Sequence, residues 1–158
     1  MKKILFNQRG SSLIEIIVAT GVMALVLTSI IAGFTLSLKT NSESEYRSQA
    51  TKRAQEAMEV FRRERTLLGW EAFAAALRDN TYYCFDELTA PFEAFSVGAC
   101  GSSDTIVISG QEFIREAEVT VDETDPTSPQ IRVKMTMSWT TNDNVKDVEI
   151  IQVFRKWD

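Results

Sequence analysis

Histidine is missing from all 158 residues, which removes the commonest general base and the commonest zinc ligand together. Cysteine occurs only at Cys84 and Cys100, too few for a thiolate metal site and too far apart for a redox CxxC pair. Proline does not occur before Pro91, so nothing in the N-terminal half forces a helix to break. Acid is missing from the first ten residues, which hold Lys2, Lys3 and Arg9. Charge of either sign is missing from Ile16 to Leu38.

What is present divides just as sharply. Setting the three leading cations apart from a net charge of -5 leaves -8 for the remainder. An acidic body behind a short basic leader argues against direct nucleic-acid binding, which needs an extended cationic surface. The local cluster Lys52, Arg53, Arg62, Arg63 and Arg65 reads as a solvated helix face. The uncharged run, at about 1.5 Å per residue, spans about 35 Å, enough to cross a hydrocarbon core of about 30 Å. With all flanking cations upstream, the N-terminus is expected in the cytoplasm and the body outside it. The run is too long for an ordinary secretory signal, and an amphipathic pattern follows it, so the helix is expected to stay in the mature chain.

Glu15 stands at the mouth of this run. A carboxylate in lipid costs about 2.5 to 3.5 kcal/mol on insertion scales, and such groups generally pair or function. Glu15 sitting in the headgroup zone, one turn past Arg9, is one reading. The other follows from a cut after Gly10, which makes a new α-amine at Ser11, one helical turn before Glu15. Amine and acid then match between axially staggered copies of the helix, and their pairing fixes the register.

The stretch "RGSSLIEIIVATGVMALV", from Arg9 to Val26, resembles the class III leader and N-terminal helix of type IV pilins and type II secretion pseudopilins. The resemblance implies cleavage between Gly10 and Ser11 by a prepilin peptidase. It also makes Glu15 the assembly glutamate, fifth in the mature chain, and implies N-methylation of the new amine. The family most often has phenylalanine after the cut, whereas this chain has Ser11. Further on, "RAQEAMEVFR" and strands ending at Trp139 and Trp157 look most like minor pilins or minor pseudopilins of the PilV and GspI type. The implied partners are other pilin or pseudopilin subunits, the peptidase, the inner-membrane assembly platform and, before assembly, membrane lipid.

One helix is expected from about Leu13 to Leu68, with Lys39–Ser44 its softest point and Gly33 a place for local bending. Tyr46, Ala50, Ala54, Ala57, Met58, Phe61 and Leu68 follow a 3.6-residue period and form the buried stripe. Glu59 is set to pair with Arg63. Gly69 ends or bends the helix and "WEAFAAALRD" forms a short second one. Residues 80 to 110 read as irregular. With the body outside the cytoplasm, a Cys84–Cys100 disulfide is expected there, worth about 3 kcal/mol on the loop-entropy model, with two free buried thiols as the alternative.

Strands are expected at 105–109, 115–122, 131–139 and, after a "TNDN" turn, 145–157, with a loop from Asp122 to Gln130. Their alternation puts Ala117, Val119 and Val121, and Ile131, Val133, Met135, Met137 and Trp139, on an apolar face that the amphipathic half of the helix covers. The expected fold is therefore α+β and pilin-like. Residues 1–10 form a removable leader, 11–38 a transmembrane and assembly helix, and 39–158 an extracytoplasmic domain.

No enzyme is expected. "VDETDPTSP" lacks the glycine and donor spacing of a calcium loop, Ser102 and Ser103 have no GxSxG elbow, and "GACG" lacks the lysine of a phosphate loop. No metal or cofactor is assigned. The rival reading is an unprocessed bitopic anchor that presents an extracytoplasmic binding module.

Overall fold

A computed structural model describes residues 11–85, 88, 95–122, 128–141 and 143–156. The element order is α1 (Ser11–Ala76), β1 (Thr81–Cys84), β2 (Ser96–Val97), β3 (Thr105–Ile108), β4 (Gln111–Asp122), β5 (Gln130–Thr141) and β6 (Asn144–Arg155). The chain divides into two compact units between Ser44 and Glu45.

In the first unit the described residues form helix without a break. Nothing there competes with helical hydrogen bonding: prolines are absent, and both Gly21 and Gly33 are helical. The polar Lys39–Ser44 stretch, the softest point of the expected helix, is helical too. Thr40 Oγ1 donates to the Leu36 carbonyl at 3.0 Å and Ser42 Oγ to that of Lys39 at 3.0 Å, bonds that follow the turn rather than disrupt it.

The second unit packs the rest of α1 on a six-stranded, wholly antiparallel, open sheet. Ala50, Ala54, Ala57, Met58 and Phe61 are buried at helical spacing, as their period requires. Fully buried alanines leave little side chain between the helix backbone and the sheet. Tyr46 meets Phe113 edge-on at 6.4 Å between centroids, and Phe61 packs on Phe154 at 6.5 Å. Helix and β6 therefore run the same way along the sheet.

Leu68 departs from the expected stripe and is exposed. Gly69 follows it with φ 73°, ψ 172°, a conformation essentially restricted to glycine, and the helix axis breaks there. Beyond the break Phe73 is fully buried and meets the Phe154 ring at 5.5 Å. The bend at Gly69 and the following helical segment match expectation.

β4 and β5 pair without a bulge from Phe113↔Trp139 to Asp122↔Gln130, and β5 pairs with β6 along its whole length. Phe113, Ala117 and Val119, with Ile131, Val133, Met135, Met137 and Trp139, point into the core. Val121 is only partly buried at the sheet's far end. Residues 80 to 110 are not irregular throughout: β1 adds to β4, and β2 adds to β1. Ser109 is not in a strand. With φ 51°, beside Gly110 at φ 80°, it makes the tight turn from β3 into β4. Most of the expected 122–130 loop, together with Pro126 and Trp157, lies outside the described residues.

Candidate functional site

α1 is long and apolar enough to cross a membrane, and its apolar window has no residue buried within the fold. Leu13, Ile14, Ile16, Ile17 and Val18 are each about 60% exposed or more, and the pattern continues through Leu25, Ile31, Phe34 and Leu38. This contiguous apolar surface exceeds what a monomeric soluble protein leaves in water. Four of the hydroxyls inside it are satisfied by the helix itself. Thr20 Oγ1 donates to the Ile16 carbonyl at 2.9 Å, Thr28 Oγ1 to Ala24 at 3.0 Å, Ser29 Oγ to Leu25 at 2.8 Å and Thr35 Oγ1 to Ile31 at 3.0 Å. A polar group without water must find its partner internally, and these do.

Glu15 is exposed on this helix, and among the described residues nothing bonds or pairs with it. Gly10 lies outside the described residues, and Ser11 is placed only as the start of the helix. The pairing of an acid with an amine on a second copy thus concerns groups that one chain does not bring together.

Cys84 and Cys100 form a disulfide, with S–S 2.08 Å and Cα–Cα 5.0 Å. Its surroundings contain the residue that sequence reading passed over. Arg115 is only 3% exposed, and its Nε donates to the Phe85 carbonyl at 2.8 Å. The Phe85 N–H in turn donates to the Arg115 carbonyl at 3.1 Å, and the Cys100 N–H to Glu116 Oε2 at 2.9 Å. Strand alternation did hold the signal, because Arg115 is in phase with Phe113 and Ala117.

The basic cluster on α1 carries its own counter-ions. Arg53 pairs with Glu56 at 2.8 Å, Arg62 with Glu59, and Arg63 with Glu64 at 3.1 Å. Glu59 therefore takes the cation three residues on, not the expected Arg63. Arg65 stacks over Trp70, 5.9 Å from the ring centroid, and Nη2 donates to the Arg155 carbonyl at 2.6 Å. On the outer sheet face Lys134 lies between Glu118 at 2.5 Å and Glu149 at 3.8 Å. That pairing holds the Glu118 carboxyl below its ordinary range and raises the Lys134 amine.

Among the described residues no group of three or more His, Cys, Asp or Glu could hold a metal ion. The acidic positions Glu123 and Asp125 lie outside them.

A long N-terminal helix, apolar and uncovered in its first part and laid on an open antiparallel sheet in its second, is a pilin-like architecture. The chain is a small α+β protein whose apolar N-terminal helix is consistent with a membrane-associated structural subunit. No family model matches it, and neither a curated protein nor a solved structure gives a significant match.

Proposed function

We propose that the chain is a non-enzymatic structural subunit, of the minor class, in a type IV pilus or a type II secretion pseudopilus. It is made as a single-pass inner-membrane protein with its N-terminus in the cytoplasm. A prepilin peptidase removes residues 1–10 after Gly10, and residues 11–38 then serve as the transmembrane and assembly helix for the extracytoplasmic domain 39–158. The observation carrying this reading is the uncovered apolar helix with one carboxylate, Glu15, near its start.

The physical logic is a transfer between two apolar surroundings. In the bilayer the helix is covered by lipid. In a filament the same surface is covered by neighbouring helices, so extraction by the assembly platform exposes little of it to water. Glu15 supplies the direction. Unpaired in lipid it costs about 2.5 to 3.5 kcal/mol, and the Ser11 amine of an adjoining subunit relieves that cost only at one axial stagger. The disulfide suits the oxidising side of the membrane, where the domain is placed.

Incubation of the full chain with a prepilin peptidase, read by mass spectrometry, tests the processing step. The expected product begins at Ser11, and an intact chain recovered from cells would favour the bitopic anchor instead. Glu15→Ala should be cleaved normally yet enter filaments at least about tenfold less, one pairing contact of about 1.4 kcal/mol or more. Equal incorporation of that variant would overturn the pairing.

A further inference from the structure

β6 forms one edge of the sheet, and among the described residues no strand lies beyond it. Its register with β5 is continuous, so its backbone groups alternate strictly between the two sides. The Lys156 N–H donates to the Pro129 carbonyl at 3.4 Å, in step with that register. Even-numbered residues therefore bond toward β5. Odd-numbered ones, Val145, Asp147, Glu149, Ile151 and Val153, turn their N–H and C=O to the open edge. The same odd-numbered side chains stand on the outer face, where Val145, Ile151 and Val153 are exposed apolar groups. A strand of 12 residues with an open, partly apolar edge is a template for another strand.

The sequence of the edge says which strand fits. "EIIQVFR", Glu149 to Arg155, is complementary to itself when reversed about Gln152. In an antiparallel pair of two copies, Glu149 faces Arg155, Ile150 faces Phe154, Ile151 faces Val153, and Gln152 faces Gln152. Acid meets base and apolar meets apolar on both sides of the two-fold axis. The backbone agrees with this register at its centre: Ile151 of each copy exchanges N–H···O bonds with Val153 of the other, and the two Gln152 residues form a non-hydrogen-bonded pair. At the outer pair the Arg155 carbonyl is held by Arg65 Nη2 at 2.6 Å, so Glu149 and Arg155 meet there chiefly through their side chains. On the inner face Arg62 Nε holds the Gln152 Oε1 at 2.9 Å, and the Arg62 charge is already matched by Glu59.

We infer that the exposed β6 edge is a docking surface for a second copy of this chain, joined antiparallel about Gln152 into one continuous sheet. The inference does not rest on the filament reading. Two-fold pairing sets the β6 strands, and with them the helix segments packed along them, in opposite directions, whereas filament subunits share one direction. The dimer is thus a form of the chain outside a filament, and either reading can fail without the other.

The test uses the full chain in detergent, with its native disulfide intact. Across a non-hydrogen-bonded antiparallel pair the Cα atoms lie about 4.5 Å apart, within disulfide reach. Gln152→Cys should cross-link into a covalent dimer under mild oxidation. Val145→Cys, more exposed but far from its own copy in this register, should not. No cross-link at 152, or equal cross-linking at both positions, overturns the inference.

Charge reversal gives a second measurement, by sedimentation over a range of concentrations. Glu149→Arg alone and Arg155→Glu alone each place like charges opposite one another twice and should weaken the dimer about tenfold. The double variant should return to within about threefold of the parent. Loss that the double variant does not restore would likewise overturn it.

Discussion

At the scale of single residues, Arg115 and Lys134 show two ways of keeping a cation on a strand. Arg115 faces the core and is held by the Phe85 carbonyl, so Arg115→Met, which keeps the stem but drops that bond, should destabilise the domain by about 1 to 3 kcal/mol in chemical denaturation. Lys134 faces water between two acids, and its pair with Glu118 should contribute less than about 1 kcal/mol. The signs of its pH dependence are fixed. Glu118 is depressed on folding, so its share is present above the ordinary carboxylate range and is lost as pH falls through the lower folded value. Lys134 is raised, so its share is present below about pH 10.4 and is lost as pH rises through the higher folded value. Thermal melts of the parent and Glu118→Gln should differ near neutrality and converge in acid.

At the scale of elements, the amphipathic part of α1 and the strands β4, β5 and β6 were legible because period alone specifies them. A 3.6-residue stripe and a two-residue alternation each force one face inward. β1 and β2 were not legible. They are short, they lie among turn residues, and their place is set by the strand each adds to, β4 for β1 and β1 for β2, rather than by their own pattern. Arg115 was overlooked because its charge suggested water, while its position in the alternation dictated the core. The Gly69 break was readable from glycine's backbone freedom, but which aromatic closes the core beyond it was not. Gly69→Ala meets no steric obstacle, since an added Cβ has nothing within 4 Å, so its effect is conformational. A loss of about 1 to 3 kcal/mol is expected, readable as a lower denaturation midpoint with an unchanged slope. Ala54→Leu tests the close helix–sheet approach, and overpacking there should destabilise by a similar amount.

At the scale of the whole molecule, the candidate site was the clearest part of the sequence, because an uncharged run with one acid at its mouth is conspicuous without any tertiary information. What a single chain leaves open is the partner of that acid, which the proposed function assigns to the amine of another copy. The disulfide is the other whole-chain device. It ties residues that would otherwise be free to separate on unfolding, and Cys84→Ser with Cys100→Ser should lower stability by about 3 kcal/mol, read by denaturation without reductant.

β1 and β3 lie end to end along the same edge of β4: Thr105 pairs with Ile114, Cys84 pairs with Glu116, and no strand residue stands opposite Arg115. The sheet therefore has a seam on that side, closed by the sulfur bridge and the Arg115–Phe85 clasp instead of by a ladder. Reduction should consequently unbutton this flank while β4, β5 and β6 stay zipped. In deuterium-labelling experiments, amides at 81–85 and 95–108 should gain exchange first, ahead of any global melting.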